Sequence, residues 1–300
     1  MKLEKIVTMA NRAVQWQLIG MVRSLRATGC HLPVLVIPHD RDPELFDLPE
    51  GCSWWRDQEL HDWLMANGAH SRAGKYQCLM IENYHFVDCD VAFIENPETA
   101  LLPQQGFIAA CNHWHDYGHT CTAESRAEFL RVTTTWPRFV FNSGQFACDQ
   151  ALYSFETLKE MLVSPTVVGT ALDGRFHEQA GINLLVLKSG VKIQNLTLPP
   201  TAMESTWAGD YESEVSQDYN RYWENSLQKP YLIHYAGCAL NRAIPLNKLF
   251  FQHFNEQELQ SLKKELNAFR ANTLHHRTPK WRRLLSQIKQ AYLNTYHPPV

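Results

Sequence analysis

The chain is predicted to fold as an α/β domain, a mostly parallel sheet flanked by helices. Short apolar runs at 5–9, at 32–37 and before Asp88 alternate with longer stretches of helical periodicity. That is the strand–helix rhythm of a right-handed, doubly wound sheet. The 32–37 run is almost wholly apolar, as a parallel strand covered on both faces should be. The length of 300 residues, with 45% hydrophobic and 20% charged, suits one large α/β domain or two small ones.

In chain order, Lys5–Met9 is the first strand and Ala10-Asn11-Arg12 ends it. Val14, Leu18, Met21, Val22 and Leu25 mark a helix face that stops at Gly29. The second strand closes on Pro38-His39-Asp40, and Cys52–Trp55 is a short third. His61–Leu79 reads as helical with a break near Gly68. Lys75–Phe93 follows as helix, turn and a strand ending in Asp88-Cys89-Asp90. Further strands are expected at 106–110, 138–141, 192–196 and 231–235, and helices over 151–162 and from His177. Asn255 can cap a helix with Glu258 three residues on, followed by Leu259, Leu262, Leu266 and Phe269 at helical spacing. A last helix from Pro279 places Trp281, Leu284, Leu285, Ile288 and Tyr292 on one face. It can lie on a membrane surface or pack on the body, and packing is favoured.

The net charge of −3 argues against general nucleic-acid affinity. After Leu274 the chain carries Arg277, Lys280, Arg282, Arg283 and Lys289 and no acid, which makes a basic tail on an acidic body. No stretch is apolar enough to span a bilayer, and the first residues, with Glu4 among them, are not a secretory signal. The eight cysteines are scattered without paired spacing and are read as reduced thiols. The expected location is the cytoplasm, with peripheral contact on the inner membrane surface through the tail helix as an option.

Alternation along a strand would point Asp88 and Asp90 the same way at a strand end. Two carboxylates so placed suit a hard cation such as Mg²⁺ or Mn²⁺, and in open α/β sheets that end is where ligands bind. Read alone, the same three residues equally describe a solvated turn. In the loop at 111–120, His113, His115, Asp116 and His119 could ligate a metal or simply line a pocket. Asn142 and Ser143 could bond sugar hydroxyls and Gly144 could admit a close ligand, although Asn, Ser and Gly also make ordinary turns. Glu178 could serve only as a charge at a helix start, with Asn183 one turn beyond Gln179 on the same side. His234, on a strand, could be a satisfied core residue.

The order of these motifs resembles the GT-A nucleotide-sugar glycosyltransferases. A strand ends in Thr and Asn, a Lys precedes an Asp-x-Asp, and Phe-Asn-Ser-Gly, an acid–Gln pair with Asn, and His-x-x-Gly follow. It is most similar to glycosyltransferase family 8, of the glycogenin and lipopolysaccharide galactosyltransferase type, over about Lys5 to Gly237. The resemblance implies a GT-A fold, a mixed and mostly parallel sheet flanked by helices, over 1–244, with a C-terminal helical extension over 245–300. It implies a hexosyltransferase that retains anomeric configuration, with Mn²⁺ or Mg²⁺ held by Asp88, Asp90 and His234 and bridging the phosphates of a sugar nucleotide, foremost a UDP-sugar. The acceptor would be a glycan, lipid or protein. Thr8, Ala10, Asn11 and Asp40 would contact base or ribose, Lys75 the phosphates or sugar, and Asn142, Ser143 and Gly144 the sugar pocket. Glu178 and Gln179 would lie beside the anomeric carbon as the catalytic pair. Gly237 completes the His-x-x-Gly. The family often follows that motif with Lys-Pro-Trp; here Arg242 would supply the charge, and Glu178 stands where Asp is usual. The loop at 113–119, His-Trp-His-Asp-Tyr-Gly-His, and Trp207 are read as acceptor contacts. With a neutral imidazole as ligand, metal would be lost as pH falls.

Three rivals are weighed against this. A haloacid-dehalogenase-type phosphatase also uses Asp-x-Asp, but near its N-terminus. A nucleotidyltransferase needs a Gly-rich loop where Met9-Ala10-Asn11-Arg12 stands. An inactive carbohydrate-binding relative would lack turnover.

Overall fold

The computed structural model describes residues 1–39, 45–114, 116, 118, 120–163, 178–211, 228–237, 240, 246–262 and 264. The chain divides into two compact units, Met1–His253 and Phe254–Val300.

The first unit is built on a seven-stranded sheet with β1 (Lys5–Ala10), β2 (Val34–Pro38), β3 (Cys52–Trp54), β4 (Tyr84–Val87), β6 (Phe107–Ala109), β7 (Gln145–Cys148) and β8 (Ile193–Asn195). The order is β3-β2-β1-β4-β7-β6-β8. β7 alone runs against its neighbours β4 and β6; every other pairing is parallel. A separate two-stranded antiparallel ribbon pairs β5 (Val91–Phe93) with β9 (Leu232–His234). The expected mixed, mostly parallel sheet flanked by helices is therefore the observed one.

Alternation sets the two cores. On β1, Val7 and Met9 enter one buried cluster while Ile6 and Ala10 enter the other. The second cluster takes Leu18, Met21, Val22 and Leu25 from α1 (Gln15–Ala27). The first takes Leu60 and Leu64 from α2 (Gln58–Ala66), Leu158 and Leu162 from α5 (Phe155–Val163), and Ile182, Leu184, Leu185 and Val186 from α6 (Glu178–Ser189). α3 (Pro97–Leu101) and α4 (Ala123–Val132) lie in the connections, and α7 (Asn247–Phe251) packs its Phe250 edge-on against Trp16 of α1.

Three expectations are corrected. The strand expected at 138–141 is instead a 3-10 turn, Trp136–Phe139, with Pro137 in its first positions. Phe141 has its backbone N–H and C=O both bonded by the Asn183 carboxamide at 2.8 Å, so no strand neighbour can claim them. The strand comes after Phe-Asn-Ser-Gly, at Gln145–Cys148. Second, Asp88-Cys89-Asp90 is not part of a strand. The chain leaves the large sheet at Val87 and enters the ribbon at Val91, so the three residues are the link between the two. Third, α5 begins at Phe155, because the Ser154 hydroxyl accepts the Thr157 N–H and caps it there.

In the second unit Asn255 and Glu258 form the expected reciprocal cap, each side chain accepting the other's backbone N–H at 2.9 Å, at the head of the helix over 256–262. Leu266, Phe269 and the amphipathic segment from Pro279 lie outside the described residues. Among the described residues no helix is long and apolar enough to cross a membrane.

Candidate functional site

The link between the two sheets and the ribbon register build the centre. β5 and β9 pair with Val91 opposite His234, and the Tyr235 N–H donates to Asp90 O at 2.9 Å, so the His234 ring lies beside the link. The Asp88 N–H donates to Gly144 O at 2.7 Å and ties the link to the turn before β7. Cys89 turns the other way into the core under α1, near Gln17. Asp88 and Asp90 thus share a side, as expected, though a turn and not a strand orients them.

One ligand atom from each of Asp88, Asp90 and His234 lies within 4.8 Å of the others. His234 Nε2 is 3.3 Å from Asp90 Oδ1 and 3.8 Å from Asp88 Oδ2. It is buried and makes no hydrogen bond to either. Gly144 admits the ring: a Cβ there would stand 2.1 Å from His234 Cε1. Burial opposes the imidazolium, yet Asp90 and Asp88 outweigh it and raise the His234 pKa. Burial likewise opposes the Asp90 carboxylate, and His234 outweighs it to lower that pKa. Two carboxylates and an imidazole around a buried, unbonded ring nitrogen form a donor set that fits a divalent cation.

Behind this cluster the ionic contacts are complete. Lys75, on a run of 3-10 turns at Ser71–Met80, is 4% exposed. Its Nζ reaches Asp88 Oδ1 at 2.9 Å, Glu178 Oε1 at 3.0 Å and Ser143 O at 3.5 Å. Burial opposes its charge, but the two carboxylates outweigh burial and hold its pKa above the ordinary value. Glu178, at the first turn of α6, is buried as well; Lys75 outweighs that burial and lowers its pKa. The Ser143 hydroxyl donates to Glu178 Oε1 at 3.2 Å, and the Ser143 N–H donates to Gln179 Oε1 at 3.1 Å. Asn142 Oδ1 accepts the Gly144 N–H at 2.8 Å.

Asp88, Asp90, His234, Lys75, Ser143, Gly144, Glu178 and Gln179 are therefore gathered in one place from five separate stretches of chain. Lys75 is enclosed in ion pairs there. Thr8 and Ala10 are buried in β1, at 0% and 1% exposure, while Asn11 at its end keeps some surface and lies 3.5 Å from His39. Gly237 follows β9 in a turn. Asp40 and Arg242 lie outside the described residues, as do His115 and His119 of the second expected metal cluster. Of the two remaining members, His113 pairs with Asp210 at 2.6 Å, while Asp116 is exposed and accepts the Gly118 N–H at 3.1 Å.

Sequence reasoning missed Asp210, Ser205 and the backbone clamp of Asn183. Asn183 was singled out only for sharing a side with Gln179, whose C=O it does reach at 2.9 Å. No short-range pattern marks the other two, which act across about a hundred residues of chain in the case of Asp210 and His113.

No protein-family model matches the sequence, and no curated protein does. Solved structures similar to the chain include glycosyltransferases. The bifunctional glycosyltransferase WbbM, in its apo form, is 13% identical with a TM-score of 0.49; the match covers 79% of this chain and 46% of WbbM, so the chain spans about half of that protein. The galactosyltransferase LgtC, solved with donor and acceptor sugar analogues, is 15% identical with a TM-score of 0.48, over 80% of this chain and 90% of its own. Mouse xyloside xylosyltransferase 1 is 12% identical with a TM-score of 0.44, over 82% and 99%.

Proposed function

We propose that this chain is a metal-dependent glycosyltransferase that moves a sugar from a nucleotide diphosphate, foremost a UDP-sugar, to a glycan, lipid or protein acceptor. The observation that supports it is the Asp88–Asp90–His234 donor set with its buried, unbonded ring nitrogen. A Mn²⁺ or Mg²⁺ held by those three residues would offset the charge of a departing diphosphate.

The chain's own groups divide the remaining work. Lys75, saturated by Asp88, Glu178 and Ser143, keeps Glu178 ionised and Asp88 oriented; it acts through them. Glu178 is sealed at 4% exposure, whereas Gln179 keeps some surface. Gln179 is thus the member of the pair able to face a donor sugar, where its carboxamide dipole would support developing positive charge. Asn11 is the first-strand residue able to reach the base or ribose. Asp88 and Glu178 already have a cationic partner in Lys75, and Asp90 would be engaged by the metal together with His234. Retention of anomeric configuration is carried over from the family resemblance; an inverting enzyme would use a base beside the acceptor hydroxyl.

Release of UDP from UDP-glucose, UDP-galactose, UDP-N-acetylglucosamine and UDP-xylose tests the reading. At least one donor should turn over with Mn²⁺, stop with a chelator, and slow by roughly 10²-fold in Asp90→Asn. Binding of UDP with no turnover of any donor would identify an inactive relative instead.

A further inference from the structure

We infer that Trp207, His113 and Asp210 form the seat for a saccharide ring of the acceptor. The inference rests on the transferase reading and adds to it the chemistry of the second substrate.

Trp207 keeps 37% of its surface in solvent, yet its indole is held on three sides. The ring N–H donates to Ala236 O at 2.8 Å. His113 meets the ring edge-on, with centroids 5.1 Å apart and an 85° angle. Gly209 lies against it, so close that a Cβ at 209 would come within 2.4 Å of Cζ2. An aromatic ring gains by burial. One that is oriented by three contacts and still left partly bare is prepared for a ligand.

The border of the ring identifies that ligand. His113 Nε2 and Asp210 Oδ1 are 2.6 Å apart, with side chains 34% and 21% exposed. The Ser205 hydroxyl donates to the other oxygen of Asp210 and accepts the Trp207 backbone N–H at 3.1 Å. A flat apolar surface edged by fixed polar groups complements a pyranose, which is apolar on its C–H face and polar around its rim. An acyl chain would find a carboxylate in its path, and Asp210 would repel a phosphate.

Position supplies the third argument. Trp207 bridges to His234 through the backbone, and Thr206 O accepts the His234 N–H at 2.7 Å. The seat therefore adjoins the donor set, where an acceptor has to sit if its hydroxyl is to come within reach of the donor sugar.

Saturation-transfer NMR on the full chain tests this with four probes: the methyl glycosides of glucose, galactose, N-acetylglucosamine and xylose. At least one should show transfer to its ring C–H protons, and the signal should fall by roughly fivefold or more in Trp207→Ala. Gly209→Ala, which keeps the indole but displaces it, should weaken the same signal. Stabilisation by UDP with Mn²⁺ should persist in both variants, and this also reports that they fold. If Trp207→Ala does not fold, Gly209→Ala decides by the same reading. Silence from all four glycosides, or a signal unchanged by the substitution, overturns the seat. Absence of UDP and Mn²⁺ binding in the wild type would overturn the transferase reading separately, because the glycoside signal is read without nucleotide.

Discussion

The two halves of the cluster share Asp88 yet are finished to different degrees. On the inner side Lys75, Glu178, Ser143 and the carboxamide of Gln179 satisfy one another within 3.5 Å. On the outer side Asp90 and His234 approach to 3.3 Å without a hydrogen bond, and the ring nitrogen stays orphaned although buried. A buried polar group without a partner is costly, and folded chains keep few of them. The contrast separates an inner half whose groups satisfy one another from an outer half in which a buried ring nitrogen stays open beside two carboxylates. Substitutions on the inner side should therefore register in stability and those on the outer side in binding.

The largest effect is expected at Lys75. Lys75→Met leaves Glu178 buried without its cation and should cost about 3–5 kcal/mol in urea unfolding at pH 7. A loss below about 1 kcal/mol would mean that the inner half is not structural. Asn183 comes next. It is 1% exposed and carries both backbone bonds of Phe141 as well as Gln179 O. Asn183→Ala should cost about 2–4 kcal/mol, from two buried backbone groups left open at about 1–2 kcal/mol each, the lower part of the usual range, and should weaken UDP binding by loosening the Asn142–Gly144 turn.

A control away from the cluster is His85, fully buried on β4 with Nε2 3.1 Å from the Tyr231 hydroxyl. Burial lowers its pKa from 6.5 to about 3. The unfolded chain therefore takes up a proton below pH 6.5 that the folded chain refuses until about pH 3, and stability drains away as pH falls through that window. In His85→Phe the loss between pH 6.5 and 5 should be shallower by up to about 1.4 kcal/mol per pH unit. Parallel slopes in the two proteins would contradict a neutral buried His85. The smallest effect on stability belongs to the outer half. Asp90→Asn, on a partly exposed side chain beside a like charge, should change stability by less than about 1 kcal/mol while removing metal-dependent nucleotide binding.

Much of this was legible in the sequence. The strand–helix alternation gave the sheet, and Asp88, Asp90 and His234 were marked by residue type and motif order across 146 positions, a separation that Tyr231 and His85 also bridge. Hidden were the features that depend on contacts rather than periodicity. The apolar residues 139–141 mimic a strand, but a distant carboxamide takes their backbone bonds. A two-residue spacing placed both aspartates on one side for the wrong reason, since the chain is changing sheets there. The family resemblance assigns Lys75 to the phosphates or sugar, and its burial against Glu178, about a hundred residues away, has no local signature. The pairing of His113 with Asp210 has no local signature at all.

The most direct measurement is calorimetric titration of UDP into the full chain with and without Mn²⁺, repeated on Asp90→Asn. The account predicts binding that requires the metal and is lost in the variant while its unfolding midpoint is nearly unchanged. UDP binding of equal strength with and without Mn²⁺, or undiminished in Asp90→Asn, would contradict it.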